Sequence, residues 1–382
     1  MLQPANAAEV AAALRRASEA RQSIVIRGAG TKSEWGRPAA RVDAVLDMRR
    51  VNRILAHEHG DMTATVEAGA TLHDVNAALA IHGQTLPLDP PFADRATIGG
   101  LLATNDSGPL RHRYGTPRDL VIGIQLATTD GVLTKAGGQV VKNVAGYDLS
   151  KLVTGSFGSL AAIISATFKL APLPAASKTL RIGVGDKATV AEIVRRMMAS
   201  QLEPAALEVV VGHRSLTILI RFASLAAVVD AQIAQATAVI EGCATDAAVL
   251  DGDAERALWH ELAAAIWNQP GAIVRASWLP AQIAAGLGEL DRLTACTTSV
   301  QARAAIGAGL IRIDGDAPAQ ATVIEQLRRS PVFGNVVIRR GSDALKAVVD
   351  VWGPHGDRRP LFDSLKRAFD PNGVLNAGRG PL

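Results

Sequence analysis

The chain has 382 residues, 48% of them hydrophobic and 20% charged, with a formal net charge of +4. That length calls for two domains or one domain with a large insertion, and the composition is that of a globular protein. No long Lys/Arg run or aromatic-interleaved basic stripe accompanies the charge, which argues against nucleic-acid binding. Cys243 and Cys296 stand far apart and outside any Cys-x-x-Cys, so neither a disulfide framework nor a cysteine-ligated cluster is expected within this chain. The start, with Glu9 early, lacks a charged-then-apolar signal pattern. No apolar run reaches the roughly 18 to 20 residues of a membrane span. A cytoplasmic chain without direct membrane insertion is expected, held at a membrane only through a partner.

Residues 5–20 predict an amphipathic helix with Val10, Ala13, Leu14 and Ala17 on one face. Ile24, Val25 and Ile26 predict a short buried strand, and Gly28 and Gly30 a tight turn after it. "AVLDM" and "TATVEAGAT" read as further strands, and "LHDVNAALAIHG" as a helix closed by Gly83. The stretch 87–108 reads as a long loop with few charges to solvate it, a length uncommon unless functional. "DLVIGIQLATTDGVLTKAG" signals a hairpin across Asp130-Gly131. After Pro174 an Ala-rich alternation of strands and helices begins, and a boundary is expected near 173–178. "RRPLFDSLKRAF" predicts a last helix before "DPNGVLNAGRG".

Three glycine-rich bends invite a ligand. In "RGAGTKS", Arg27 to Ser33, Thr31 stands where a P-loop needs glycine, and Ser33 where a dinucleotide fingerprint needs its third glycine. What remains is a strand entering a two-glycine turn whose backbone N–H groups can face an anion, helped by Thr31, Ser33 and Lys32. The same string also suits a bare tight turn. In the second bend, Gly99-Gly100 permits close backbone approach, and Thr97, Thr104, Asn105 and Ser107 offer neutral hydrogen-bonding groups that suit a polar ring system better than a metal. In the third, Gly146, Gly155 and Gly158 precede Ile163 and Ile164, whose extended backbone could pair with an adenine edge.

"RGAGTKS", "VEAGATLHDV", "PPFADRATIGGLLATNDSG" and "KNVAGYDLSKLVTGSFGSLAAIISATFKLAP", in that order and spacing, resemble the FAD-binding domain of the vanillyl-alcohol-oxidase/PCMH-type flavoprotein family, and "FDPNGVLNAGRG" resembles its C-terminal return to the flavin. The resemblance covers residues 1–172 and 360–382. Between them it rests on length and domain order. It implies an α+β fold: a PCMH-type FAD-binding domain of two subdomains over 1–175, an α/β cap or substrate domain over 176–345, and a C-terminal segment over 346–382. By the same resemblance Gly28, Ala29, Gly30, Thr31, Lys32 and Ser33 would cradle the pyrophosphate. Pro90, Thr97, Gly99, Gly100, Thr104 and Ser107 would line the isoalloxazine and ribityl chain. Gly146, Gly158 and Ile163 would hold the adenosine side and flavin edge, and Asn376 would reach the ring. Many members carry a histidine in the first turn that bonds covalently to flavin. Thr31 stands near that place here, so non-covalent FAD is implied.

The implied activity is that of an FAD-binding subunit of a glycolate (2-hydroxy acid) oxidase or dehydrogenase complex. Such a subunit would move electrons from a small 2-hydroxy acid through flavin to a second FAD-binding subunit and an iron–sulfur subunit. The alternative is an assembly subunit of the same complex that FAD merely stabilises. The catalytic base stays unassigned. The family's His-x-Gly-Asp-Gly-Asn signature is absent, the nearest string being "PHGDRRP" at His355, and no metal site is expected. Arg111, His112 and Arg113 are the candidates for holding a carboxylate or stabilising a reduced ring, with a solvated basic turn as the plainer reading. His57 and His59 read as a solvated polar stretch near a turn.

Overall fold

The computed structural model describes residues 1–138, 147–212, 215–354 and 356–381. The chain forms two compact units. One contains Met1–Gly108, Tyr114–Leu173 and the segment after Pro354; the other contains Pro109–Arg113 and Pro174–Pro354.

The first unit begins with helix α1 (Ala7–Glu19), strand β1 (Ile24–Arg27) and strand β2 (Ala44–Asp47). Asn6 caps α1 by accepting from Glu9 N at 3.0 Å, and the Glu9 carboxylate answers by accepting from Ala5 N. Val10, Leu14 and Ala17 then turn inward onto Ile24 and Leu46. β1 and β2 pair in parallel, and the chain's end joins them: Ile24 bridges Leu375, and Val374 and Leu375 complete the same small core.

Next come β3 (Ile54–Glu58), β4 (Thr63–Glu67), helix α2 (Leu72–Ala80), β5 (Gln84–Thr85), and the helices α3 (Ile98–Thr104), α4 (Arg111–Tyr114) and α5 (Pro117–Leu120). β6 (Val121–Ala127), β7 (Leu133–Gly137), α6 (Leu149–Val153), β8 (Ala162–Lys169) and β9 (Ala171–Pro172) follow. An antiparallel sheet of order β3-β4-β8-β6-β7 is backed by a second core that includes Val66, Leu72, Leu79, Ile98, Leu102, Ile124 and Phe168. The first unit is thus α+β with two cores, one per subdomain.

Two expectations need correction here. α2 ends at Ala80 with Ile81 as its cap, not at Gly83. Gly83 (φ +63°) instead donates its N–H to Ala80 O at 2.9 Å in the turn toward β5. The expected loop at 87–108 contains α3. The Gly99-Gly100 pair conceals it, yet Ile98, Leu101 and Leu102 fall at helical spacing and are all buried. Asn105, at φ +46°, closes that helix in the left-handed region.

The second unit runs β10 (Ala176–Gly183), α7 (Lys187–Ala199), β11 (Ala206–Val211), β12 (Leu216–Ser224), α8 (Ala226–Val239), β13 (Asp246–Asp251) and α9 (Gly252–Ala265). It continues through β14 (Ala272–Trp278), α10 (Ile283–Asp291), β15 (Thr297–Arg303), β16 (Ala308–Asp314), α11 (Ala317–Arg329), β17 (Phe333–Arg340) and α12 (Asp343–Val348). The strands make one antiparallel sheet of order β13-β10-β12-β11-β15-β16-β14-β17. Alternation decides its faces: Ile218, Ile220 and Phe222 of β12 enter one large core with Val190 and Ile193 of α7, Val229 of α8 and Ile324 of α11. The opposite face carries a polar anchor. Glu255 of α9 is 1% exposed and accepts from Thr179 Oγ1 (2.8 Å), Arg221 Nε (3.0 Å) and Ser177 Oγ.

The last helix, α13 (Arg359–Phe369), returns the chain to the first unit, where Lys366 Nζ donates to Ser159 O at 2.8 Å. No helix among the described residues is long and apolar enough to cross a membrane.

Candidate functional site

β1 ends at Arg27, and the chain immediately turns through Gly28 and Gly30, the latter at φ +78°. Tight packing explains the first glycine: a Cβ on Gly28 would lie 2.1 Å from Thr97 Oγ1. Part of the expected cradle satisfies itself, since Ser33 N and Trp35 N donate to Gly30 O and Lys32 O at 3.1 Å each. Lys32 is only 7% exposed, and its Nζ lies 3.3 Å from Asp106 Oδ2. Such a buried ammonium needs nearby negative charge.

From the other subdomain, α3 approaches so closely that a Cβ on Gly99 would stand 2.9 Å from the Ala68 Cβ and 3.1 Å from its carbonyl oxygen. Thr97, the residue before α3, is buried, and Thr104 Oγ1 donates back to Gly100 O at 2.8 Å. Phe157 (φ +57°) and Gly158 (φ +69°) form a left-handed bend whose Phe157 N donates to Ala103 O at 2.8 Å. A non-glycine residue in that region costs free energy and persists where its surroundings enforce it.

Asn376 ties these pieces together. Buried and itself at φ +43°, it accepts from Ile26 N at 3.1 Å and donates Nδ2–H to Phe157 O at 2.6 Å, while its own N–H donates to Ile24 O. Arg379 Nη2 reaches Lys32 O at 2.8 Å and Ser33 O at 2.6 Å, so the C-terminal segment also fixes the first turn. Burial pushes the Arg379 pKa below its ordinary value.

Between these elements, within the first unit, lie two adjoining cavities that share Ile26, Gly28, Thr97, Gly100, Ala103, Phe157 and Asn376. One is walled by Met48, Ala68, Gly99, Gly158, Ala161 and Ile163. The other is walled by Arg27 through Ser33, Thr104 and Arg379. Apolar and small residues therefore wall one end, and the turn Arg27–Ser33 with Thr104 and Arg379 walls the other. A flat ring joined to a diphosphate asks for that division.

Residues 1–137 match the family described as FAD binding domain. They are an FAD-binding domain. Glycolate oxidase subunit GlcE of Escherichia coli is 37% identical over 171 residues, covering 44% of this chain and 48% of its own. Subunit GlcD of Bacillus subtilis is 35% identical over 208 residues, covering 54% and 44%. D-lactate dehydrogenase of Archaeoglobus fulgidus is 33% identical over 207 residues, covering 53% and 46%. The chain thus spans somewhat under half the length of the curated relatives it matches. A solved structure of alkyldihydroxyacetonephosphate synthase superposes with a TM-score of 0.74 at 16% identity, over 98% of this chain and 76% of that one. This is a likeness of fold.

Thirteen of the sequence-derived residues line the paired cavities: Gly28, Ala29, Gly30, Thr31, Lys32, Ser33, Thr97, Gly99, Gly100, Thr104, Gly158, Ile163 and Asn376. Pro90, buried, and Ser107 line neither of these two cavities, and Gly146 lies outside the described residues. The strand of Ile163, β8, sits between β4 and β6, with Ile163 paired to Leu126 and Ile164 O accepting from Ala68 N. Sequence reasoning missed Ile26, Arg27, Met48, Ala68, Ala103, Phe157, Ala161 and Arg379. Arg27, directly before the two-glycine turn, carried a readable signal.

Arg111, His112 and Arg113 line neither of these cavities. They open α4, and the segment Pro109–Arg113 belongs to the second unit. His57, expected in a solvated stretch, lies in β3; its ring meets His82 at 5.2 Å, and His59 stacks on His82 at 4.7 Å, apart from the cavities. His355 lies outside the described residues.

Proposed function

We propose that FAD lies non-covalently in the paired cavities and that the chain is the FAD-binding subunit of a dehydrogenase for small 2-hydroxy acids of the glycolate class. The observation that carries this is the FAD-binding domain itself, with its cavities apolar at one end and cationic at the other. The relatives' names supply the substrate class, since glycolate and D-lactate are both 2-hydroxy acids. Bound FAD would supply the hydride acceptor for the acid's carbinol carbon. The turn Gly28–Ser33, with Arg379 behind it, would hold the diphosphate through backbone N–H groups, hydroxyls and charge. The small residues Ala68, Gly99, Gly100 and Ala161 would let the walls close on a ring and exclude water. Among the described residues no histidine or cysteine lines either cavity, which supports non-covalent attachment. With Cys243 and Cys296 as its two cysteines, the chain would hand electrons to a partner, either a second FAD-binding subunit or an iron–sulfur subunit.

A second reading has its own observation. Among the described residues no histidine, carboxylate or tyrosine lines the cavities, so none of these supplies a general base there. That favours an assembly subunit in which FAD stabilises the fold. Anaerobic addition of glycolate or D-lactate to the flavin-loaded protein separates the two. Bleaching of the visible flavin band by the chain alone, or only with partner subunits present, supports dehydrogenation or relay respectively. No bleaching in either condition sinks the dehydrogenase reading in favour of assembly.

A further inference from the structure

A buried ion pair crosses from one subdomain of the first unit to the other. Lys32 lies in the turn after β1, whose Ile24 belongs to the smaller core. Asp106 follows α3, whose Leu101 and Leu102 belong to the core behind the five-stranded sheet. Lys32 Nζ stands 3.3 Å from Asp106 Oδ2, and the two side chains are 6% and 10% exposed.

Both partners are held from behind. Lys32 O accepts from Trp35 N at 3.1 Å and from Arg379 Nη2 at 2.8 Å, and Lys32 Nζ sits 5.5 Å from the centre of the buried Trp35 ring. Asp106 N donates to Leu101 O at 3.2 Å, closing the end of α3 behind the left-handed Asn105. The pair therefore joins two walls of the cavities, the first turn and α3. Lys32 lines the cavity at the first turn, yet its Nζ and Asp106 Oδ2 are both shut off from solvent, and Asp106 lines neither of the two cavities. The ammonium thus faces Asp106 and not the cavity.

We propose that Lys32 and Asp106 are a positioning pair for FAD: their attraction fixes the spacing of the first turn and α3, and the Lys32 ammonium does not itself neutralise the diphosphate. This role rests on the FAD reading and brings in Asp106, a residue that lines neither cavity. A buried charge that loses its partner is strongly disfavoured, so removing either half should disturb the spacing alike.

The test is a titration of FAD into full-length protein stripped of flavin, followed by quenching of flavin fluorescence. Lys32→Met and Asp106→Asn should each weaken binding about tenfold. The double variant should lose no more than either, because two residues acting as one latch are not additive. An ammonium held for the diphosphate predicts otherwise, with Asp106→Asn binding FAD as tightly as the parent or more tightly. That result overturns the proposal, as do losses that multiply to about 100-fold in the double variant. Lower melting temperatures with parent-like affinity would make the pair merely structural and overturn it too. Asp106→Glu keeps the charge and decides the matter should Asp106→Asn fail to fold. Its extra methylene in a packed site should weaken FAD about fivefold, and parent-like affinity there overturns the proposal. A parent that takes up no FAD ends the cofactor reading and this role with it, whereas a parent that binds FAD with indifferent variants ends this role alone.

Discussion

The two units solve different problems with different parts of the chain. The first divides its apolar residues between two cores and leaves cavities between them, walled by glycines, alanines and left-handed bends at Phe157, Gly158 and Asn376. The second pours its apolar residues into one core under an unbroken antiparallel sheet. Adding atoms should therefore wreck function in the first unit, and removing atoms should cost stability in the second.

The largest expected effect is on flavin content. Gly99→Val puts carbon into space already held by Ala68 and should lower FAD affinity by at least about 100-fold, or roughly 2.7 kcal/mol. Flavin absorbance per chain after desalting reads it, and wild-type flavin retention would break the comparison at its strongest point. Next is Glu255→Ala in the second unit. It strands Arg221 beside Ser177 and Thr179 and should cost about 3 kcal/mol in denaturant unfolding, with FAD affinity unchanged; a stability loss under about 1 kcal/mol would show that the anchor is idle. Asn376→Ala leaves Ile26 N–H and Phe157 O without their partner and should cost about 2 kcal/mol, with weaker FAD binding, since both partners flank the cavities. Normal affinity there would demote Asn376 to a structural role.

The smallest effect concerns His112. Burial, with Arg113 beside it, holds its folded-state pKa below the unfolded 6.5, so the unfolded chain takes up the proton first. The stability present above pH 6.5 is lost as the pH falls through the lower folded value. Melting curves of the parent and His112→Phe should run parallel above pH 7 and separate below about pH 6, with the parent losing more. Parallel curves throughout would show that His112 titrates as if exposed.

Legibility in the sequence followed the range of the physics. The β6–β7 hairpin shows as alternation around Asp130-Gly131, and α1 shows as its stripe of Val10, Leu14 and Ala17, because both signals are local. α3 was hidden because its two glycines, Gly99 packed against Ala68 and Gly100 against Thr97, oppose helix propensity. The first turn was legible as a tight two-glycine bend from Gly28 and Gly30. The wall at Phe157 was not, because it is made by tertiary return: Asn376 grips Phe157 across 219 residues, and nothing beside Phe157 in the chain announces it.

Titration of FAD into flavin-free protein tests the central claim most directly. The account predicts saturation at one FAD per chain, with all of the flavin released on denaturation. A chain that folds, stays colourless and takes up no FAD would contradict it.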